Sequence, residues 1–220
     1  MAGPRRYKLL CPIARALDRI GDRWTLLILR DLHAGPARFS ELQSGLTGIA
    51  ANLLTERLGQ LVADGIIQKR DGQHGVALYE LTDLGRSTRD VLFELALFGG
   101  RFAPDAEPRR PGNLRTIAVT LSAACERVVS ADTALVAELN VDGEPFTLTA
   151  KGGKVAMVYA PAQAPDVVMT TSYEPMLAAS EGEMPLEQFV ADHVTLDVHT
   201  PGKDLELLRL LGEAMEVFAK

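Results

Sequence analysis

The chain has 220 residues, 47% of them hydrophobic and 24% charged, enough apolar material for one or two globular domains, which excludes disorder of the whole. No apolar run approaches the roughly 18 residues of a membrane-spanning helix, and Met1 to Lys8 lacks the apolar core of a signal peptide, so a cytoplasmic location without a membrane partner is expected. The net charge of −6 averages two unlike segments: residues 1–112 carry 16 Lys/Arg against 13 Asp/Glu, and residues 113–220 carry 7 against 16. An acidic second half repels phosphates, so any nucleic-acid contact is assigned to the mildly basic first half.

Pro12 to Ile20 reads as a short helix, and Trp24 to Leu32 as a buried one ended by Ala34-Gly35-Pro36. Ser40 followed by Gln43 has the spacing of a capping box, with Glu41 in the first turn, and predicts a short helix from Glu41 to Ser44 or Gly45. Ile49 to Asp64 places Leu54, Leu58 and Leu61 on one helical stripe and leaves Ala51, Asn52, Thr55 and Glu56 on other faces. Ile66–Arg70 and Val76–Leu81 read as strands around a Gly- and Asp-containing hairpin loop, a wing. Thr82 or Asp83 is expected to cap one helix running through Val91, Leu92, Leu95 and Phe98 to Gly99-Gly100. Ala103 to Asn113, with three prolines and no apolar periodicity, reads as a linker, giving domains 1–103 and 114–220 on either side of residues 104–113.

Beyond the linker the pattern is strand-like: TIAVTL, LVAELNV, PFTLTA, KVAMVY, DVVMTT and HVTLDV, with Lys151-Gly152-Gly153-Lys154 as a hairpin turn. Tyr173–Ser180 and Leu186–Asp192 read as short helices. Asp204–Phe218 reads as an amphipathic closing helix with Leu205, Leu208, Leu211, Met215 and Phe218 on one side.

The first half resembles the HxlR-type winged helix-turn-helix regulators in CPIARALDRIGDRWTLLILRDL, GPARFSELQ, LLTERL, DGII and YELTDLG. The resemblance implies a DNA-binding transcriptional regulator, with repression the commoner behaviour, that acts as a homodimer through its N-terminal segment and the helix after the wing. A two-fold dimer implies an inverted-repeat operator in double-stranded DNA. A recognition helix must enter a major groove about 12 Å wide, which makes Ala51, Asn52 and Thr55 candidates for base edges and Arg57 a candidate for a phosphate or base. Arg70, Gln73 and His74 of the wing, and Arg38 and Ser40 at the start of the third helix, are candidate backbone contacts. Each also has the plainer reading of a solvated surface. Two positions depart from the family pattern: Ala50 lacks a capping hydroxyl, and Gly59 lies inside the recognition helix, each costing about 1 kcal/mol of helix stability. Trp24 is read as packing.

The second half resembles the sterol-carrier-protein-2-like fold over PDVVMTTSYEPMLAASEGEMPLEQFVADHVTLDV, an antiparallel sheet covered by helices. The whole is therefore expected to be α+β. The resemblance makes Phe146, Val155, Met157, Met169, Met176, Leu177, Phe189 and Met215 candidates for an apolar ligand pocket, or alternatively an ordinary core. Cys11 and Cys125 are expected as reduced thiols. Cys11 has a redox-sensing reading, with Arg15 one turn on, beside that of a small hydrophobe buried at the dimer contact. No catalytic, metal or cofactor motif is present in the sequence, so an enzyme is not expected. Three readings remain: a regulator responsive to an apolar small molecule, a lipid carrier with a minor DNA role, and a regulator whose second domain serves only oligomerisation.

Overall fold

The computed structural model describes residues 7–72, 75–102 and 113–218, which divide into two compact units, 1–88 and 89–220. The first holds α1 (Pro12–Ile20), α2 (Arg23–His33), β1 (Ala37–Arg38), α3 (Phe39–Gly45), α4 (Ala51–Ala63), β2 (Ile67–Asp71), β3 (Ala77–Leu81) and α5 (Asp83–Arg86). Asp22 caps α2 by accepting the Trp24 and Thr25 amides at 3.0 and 3.4 Å. Helix α2 then buries Ile28, Leu29 and Leu32. Leu54, Leu58 and Leu61 of α4 are buried at the expected spacing, and each contributes about 1.5–3 kcal/mol of hydrophobic stabilisation. The strands order as β1-β3-β2, with Ala37 opposite Tyr79 and Ile67 opposite Leu81. Strand β1, two residues long, is too short to leave a period in the sequence.

Two helix termini differ from expectation. Helix α3 begins at Phe39, and its cap is Arg38, whose backbone amide donates to Glu41 Oε2 at 2.6 Å. Ser40 therefore lies inside the first turn, because the Glu41 carboxylate reaches back to an earlier amide. The helix expected from Thr82 through Phe98 is two helices. Thr82 caps α5 through the Gly85 amide at 3.2 Å while its hydroxyl reaches the carbonyls of Gly65 and Ile66. The Ser87 and Thr88 hydroxyls then bond back to the Leu84 and Gly85 carbonyls, a geometry that competes with helix continuation, and α6 starts afresh at Arg89.

The second unit contains α6 (Arg89–Gly99), α7 (Thr116–Val128), β4 (Ala134–Val141), β5 (Glu144–Lys151), β6 (Lys154–Val158), β7 (Val167–Thr171), α8 (Tyr173–Ser180), α9 (Leu186–His193), β8 (Thr195–Val198) and α10 (Lys203–Phe218). TIAVTL, expected as a strand, is the first half of α7. The small residues that follow let this helix bury Ile117, Ala118, Val119, Leu121 and Ala123 to Cys125, and burial on nearly every side overrides the strand preference of the β-branched residues.

The sheet orders as β6-β5-β4-β7-β8 and is mixed rather than antiparallel throughout, because β4 and β7 run parallel. The connection of residues 159–166 carries the chain back across the sheet, tied down by Glu138 Oε2 accepting the Ala162 amide and the Thr147 hydroxyl donating to the Ala160 carbonyl. Strand β7 therefore enters in the same sense as β4. The β5–β6 hairpin turns at Gly152-Gly153, both at positive φ, as a two-residue turn matched to sheet twist demands. Alternate residues such as Leu135, Leu139, Phe146, Leu148 and Met169 are buried beneath α7 and α10. Helix α10 buries Leu207, Leu210, Leu211, Ala214 and Met215, whereas Leu205, expected on that side, is exposed.

The expected boundary at 104–113 would leave α6 with the first domain, but α6 packs on α7 within the second unit. Phe93 is fully buried, lies edge-on to Phe218 at 5.3 Å, and has the Arg127 guanidinium 4.0 Å above its ring. Arg89 pairs with Glu126 at 2.7 Å, and Arg127 with Glu94 at 3.0 Å. The expected linker, apart from Asn113, lies outside the described residues. Among the described residues, no helix is long and apolar enough to cross a membrane.

Candidate nucleic-acid interface

The leucine stripe fixes the rotation of α4, which turns Ala51, Asn52, Thr55, Glu56 and Gly59 to solvent. No side chain caps the helix at Ala50, so its first-turn amides face outward beside Asn52. The Thr55 hydroxyl donates to the Ala51 carbonyl at 2.8 Å, which leaves its oxygen as an acceptor. Arg57 is disposed differently from the other candidates. Its Nε lies 3.3 Å from Asp22 Oδ1 at the capped end of α2, while one terminal nitrogen donates to the exposed Glu56 carboxylate at 3.4 Å, so the half-buried guanidinium is shared between the two carboxylates.

Trp24 lies beneath the turn between α3 and α4, its ring 3.9 Å from where a Cβ on Gly48 would sit, and the Arg23 guanidinium stacks 5.1 Å from the ring centroid. Arg23 is exposed next to the turn that precedes α4, a cation that sequence patterning alone did not single out. Arg38 and Ser40 are both exposed at the start of α3.

In the wing, Gln68, Lys69 and Arg70 of β2 are exposed. Arg70 Nε is 3.1 Å from Glu80 Oε2, and Gln68 donates to the other oxygen of the same carboxylate at 2.8 Å. An exposed pair of this kind is worth at most about 1 kcal/mol, so a phosphate can displace Glu80 at little cost. Lys69, on the opposite side of the strand, lies 5.4 Å from the Tyr79 ring centroid and adds a second wing cation. Gln73 and His74 lie outside the described residues.

This arrangement, a short helix, a turn and a leucine-anchored helix followed by a two-stranded wing, coincides with a family match: residues 19–107 match the HxlR-like helix-turn-helix family. An uncharacterised HTH-type transcriptional regulator of Synechocystis, sll1512, is 36% identical over 41% of this chain and 68% of its own length. A second, YvaP of Bacillus subtilis, is 35% identical over 40% of this chain and 83% of its own. The chain belongs to the HxlR-like helix-turn-helix family. It is accordingly a DNA-binding transcriptional regulator. The crystal structure of PA1607 is 40% identical, with a TM-score of 0.42, covering 47% of this chain and 74% of that one. The family match stops at residue 107, so α7 to α10 and the five-stranded sheet lie beyond it.

Two features of this HxlR-like chain bear on assembly and sensing. Leu10, just before α1, and Ile13 and Leu17 on it form an exposed apolar row, and Val91, Leu95 and Phe98 are exposed on α6, whereas Leu92 is buried. Cys11 is exposed at the cap of α1 in the single chain, while Cys125 is buried in α7, where desolvation pushes its thiol up to about 12.

The second unit holds a cleft of about 700 Å³ bordered by the ends of α6 and α10, the first turns of α7, and α8. Of the eight candidate pocket residues, Met176, Leu177 and Met215 line it. Phe146, Val155, Met157, Met169 and Phe189 are buried in the core and do not border this cleft. Elsewhere in the unit, Glu126 accepts from Arg89, Lys154 and the Val155 amide. The Arg89 hydrogen bond, followed by the amide and the two cations, holds its carboxyl down at about 2 against the cost of burial. Among the described residues, no group of three His, Cys, Asp or Glu side chains is placed to hold a metal ion.

Proposed function

We propose that this regulator binds an inverted-repeat operator in double-stranded DNA as a homodimer, reading base edges with Ala51, Asn52 and Thr55 and acting by repression in the cytoplasm. The observation that carries the reading is the buried leucine stripe of α4, which leaves a small, neutral, hydrogen-bonding edge at the helix end that enters a groove. Arg38 and Ser40, with Arg23, Lys69 and Arg70, supply phosphate contacts that position that edge without reading sequence. The exposed apolar rows of α1 and α6 support self-association.

Fluorescence anisotropy on the DNA upstream of its own gene, across a salt series and against unrelated DNA, tests this. Asn52→Ala is expected to weaken operator binding by about 1–3 kcal/mol and leave unrelated DNA unaffected. Equal losses on both duplexes would overturn base reading by Asn52.

The second unit is read as a sterol-carrier-protein-2-like domain that takes an apolar small molecule. The reading is supported by a sheet lined with helices and by a cleft within the roughly 300–1,000 Å³ of small-molecule sites, whose lining includes Met176, Leu177 and Met215. The C-terminal end of α6, including Leu97 and Phe102 just beyond it, also borders the cleft, while Val91, Leu95 and Phe98 of the same stretch are exposed. A ligand that prefers one placement of α6 on α7 would thereby change the dimer contact. Native mass spectrometry and thermal shifts over a panel of apolar compounds test this, with Met176→Glu as the variant that should lose the response. A panel without any shift would leave the second unit an oligomerisation module.

A further inference from the structure

Arg57 is the one member of the expected DNA-reading set on α4 that the structure ties to another helix. The ion pair joins α4 to Asp22 at 3.3 Å, with side-chain exposures of 27% and 35%. The same Asp22 oxygen caps α2 through the Trp24 and Thr25 amides. Arg57 Nε is buried and makes no hydrogen bond, whereas one terminal nitrogen donates to the exposed Glu56 carboxylate at 3.4 Å. The guanidinium therefore rests on the N-terminal end of α2, a position that repels a cation because the helix macrodipole is positive there. Asp22 is what makes this resting place favourable.

We infer that Asp22 is a positioning residue for DNA recognition: by holding Arg57 against α2, it withdraws a cation from the phosphate field and leaves α4 to read DNA through its neutral edge. This rests on the reading of α4 as the recognition helix. A free arginine beside Asn52 and Thr55 would bind phosphates in any sequence, raising affinity for all DNA and lowering discrimination. Withdrawn, it costs general affinity and preserves the specificity ratio.

The test is the Asp22→Asn variant. Asparagine caps a helix as well as aspartate does, so α2 keeps its cap while the charge that holds Arg57 against α2 is removed and only the exposed Glu56 partner remains. Thermal unfolding followed by Trp24 fluorescence checks that the unit stays folded. Anisotropy is then read on an unrelated duplex and on the upstream duplex across a salt series. One added phosphate contact steepens the log–log salt slope by about 0.9, which makes D22N bind unrelated DNA up to about eight-fold more tightly at about 0.1 M salt. Arg57→Gln alone should leave the slope of the parent protein unchanged, and D22N/R57Q should return to it. An unchanged slope in D22N, or a steeper slope that persists in D22N/R57Q, overturns the inference while parental binding stands. Failure of the parent to bind either duplex would overturn the reading of α4 and the inference with it.

Discussion

Replacing Glu126 by Gln removes a charge shared among donors from two other elements of the second unit: Arg89 at the start of α6, and Lys154 and the Val155 amide of β6. The carboxyl sits at about 2 against an ordinary 4.5, foremost because Arg89 hydrogen-bonds it. At 1.36 kcal/mol per unit, that depression corresponds to about 3 kcal/mol, and screening on the exposed Lys154 side leaves about 2. The folded-state value lies below the unfolded one, so the stabilisation is complete above pH 4.5 and is lost as the pH falls towards 2. Glu126→Gln should therefore cost about 2 kcal/mol near neutrality and progressively less in acid. Urea unfolding followed by far-UV circular dichroism, from about pH 7 to about pH 3, measures it. Trp24, the only tryptophan, lies in the first unit and reports that unit separately. A deficit below about 0.5 kcal/mol at neutrality, within the range of an ordinary surface substitution, would refute the reasoning. So would a deficit that does not shrink with acid.

Gly59→Ala should raise the Trp24 melting transition by the equivalent of about 0.5–1 kcal/mol, because a Cβ there meets nothing within 4 Å and glycine disfavours a helix interior. Gly85→Ala should lower the same transition by about 1–3 kcal/mol or more, since its Cβ would stand 2.2 Å from the Ile66 carbonyl oxygen, a backbone atom that cannot swing aside. A mild thiol reagent near pH 8 should modify Cys11 and spare Cys125 until urea unfolds the second unit. Rapid labelling of both in the native protein would contradict the burial of Cys125.

Local pattern determined much of this protein. The leucine stripe of α4, the Pro12–Ile20 helix, the Gly-containing wing loop and the Gly152-Gly153 hairpin each follow from periodicity or turn chemistry within a few residues. The leucine stripe also fixes the exposure of Ala51, Asn52 and Thr55, so the solvent-facing edge of α4 was legible before any packing was known. What tertiary structure decided are the places where distant groups compete with local preference. TIAVTL becomes helical because α7 is buried on nearly every side, which overrides its β-branched residues. The helix after the wing breaks because Thr82 is pinned to the Gly65 and Ile66 carbonyls while the Ser87 and Thr88 hydroxyls bond back to the Leu84 and Gly85 carbonyls. Strand β7 runs parallel to β4 because residues 159–166 carry the chain back across the sheet before it begins, a crossing that Glu138 and Thr147 anchor by hydrogen bonds. Arg57 is the clearest case: its place on α4 is written in the spacing, but its direction depends on a carboxylate 35 residues earlier in the chain, which no local pattern encodes.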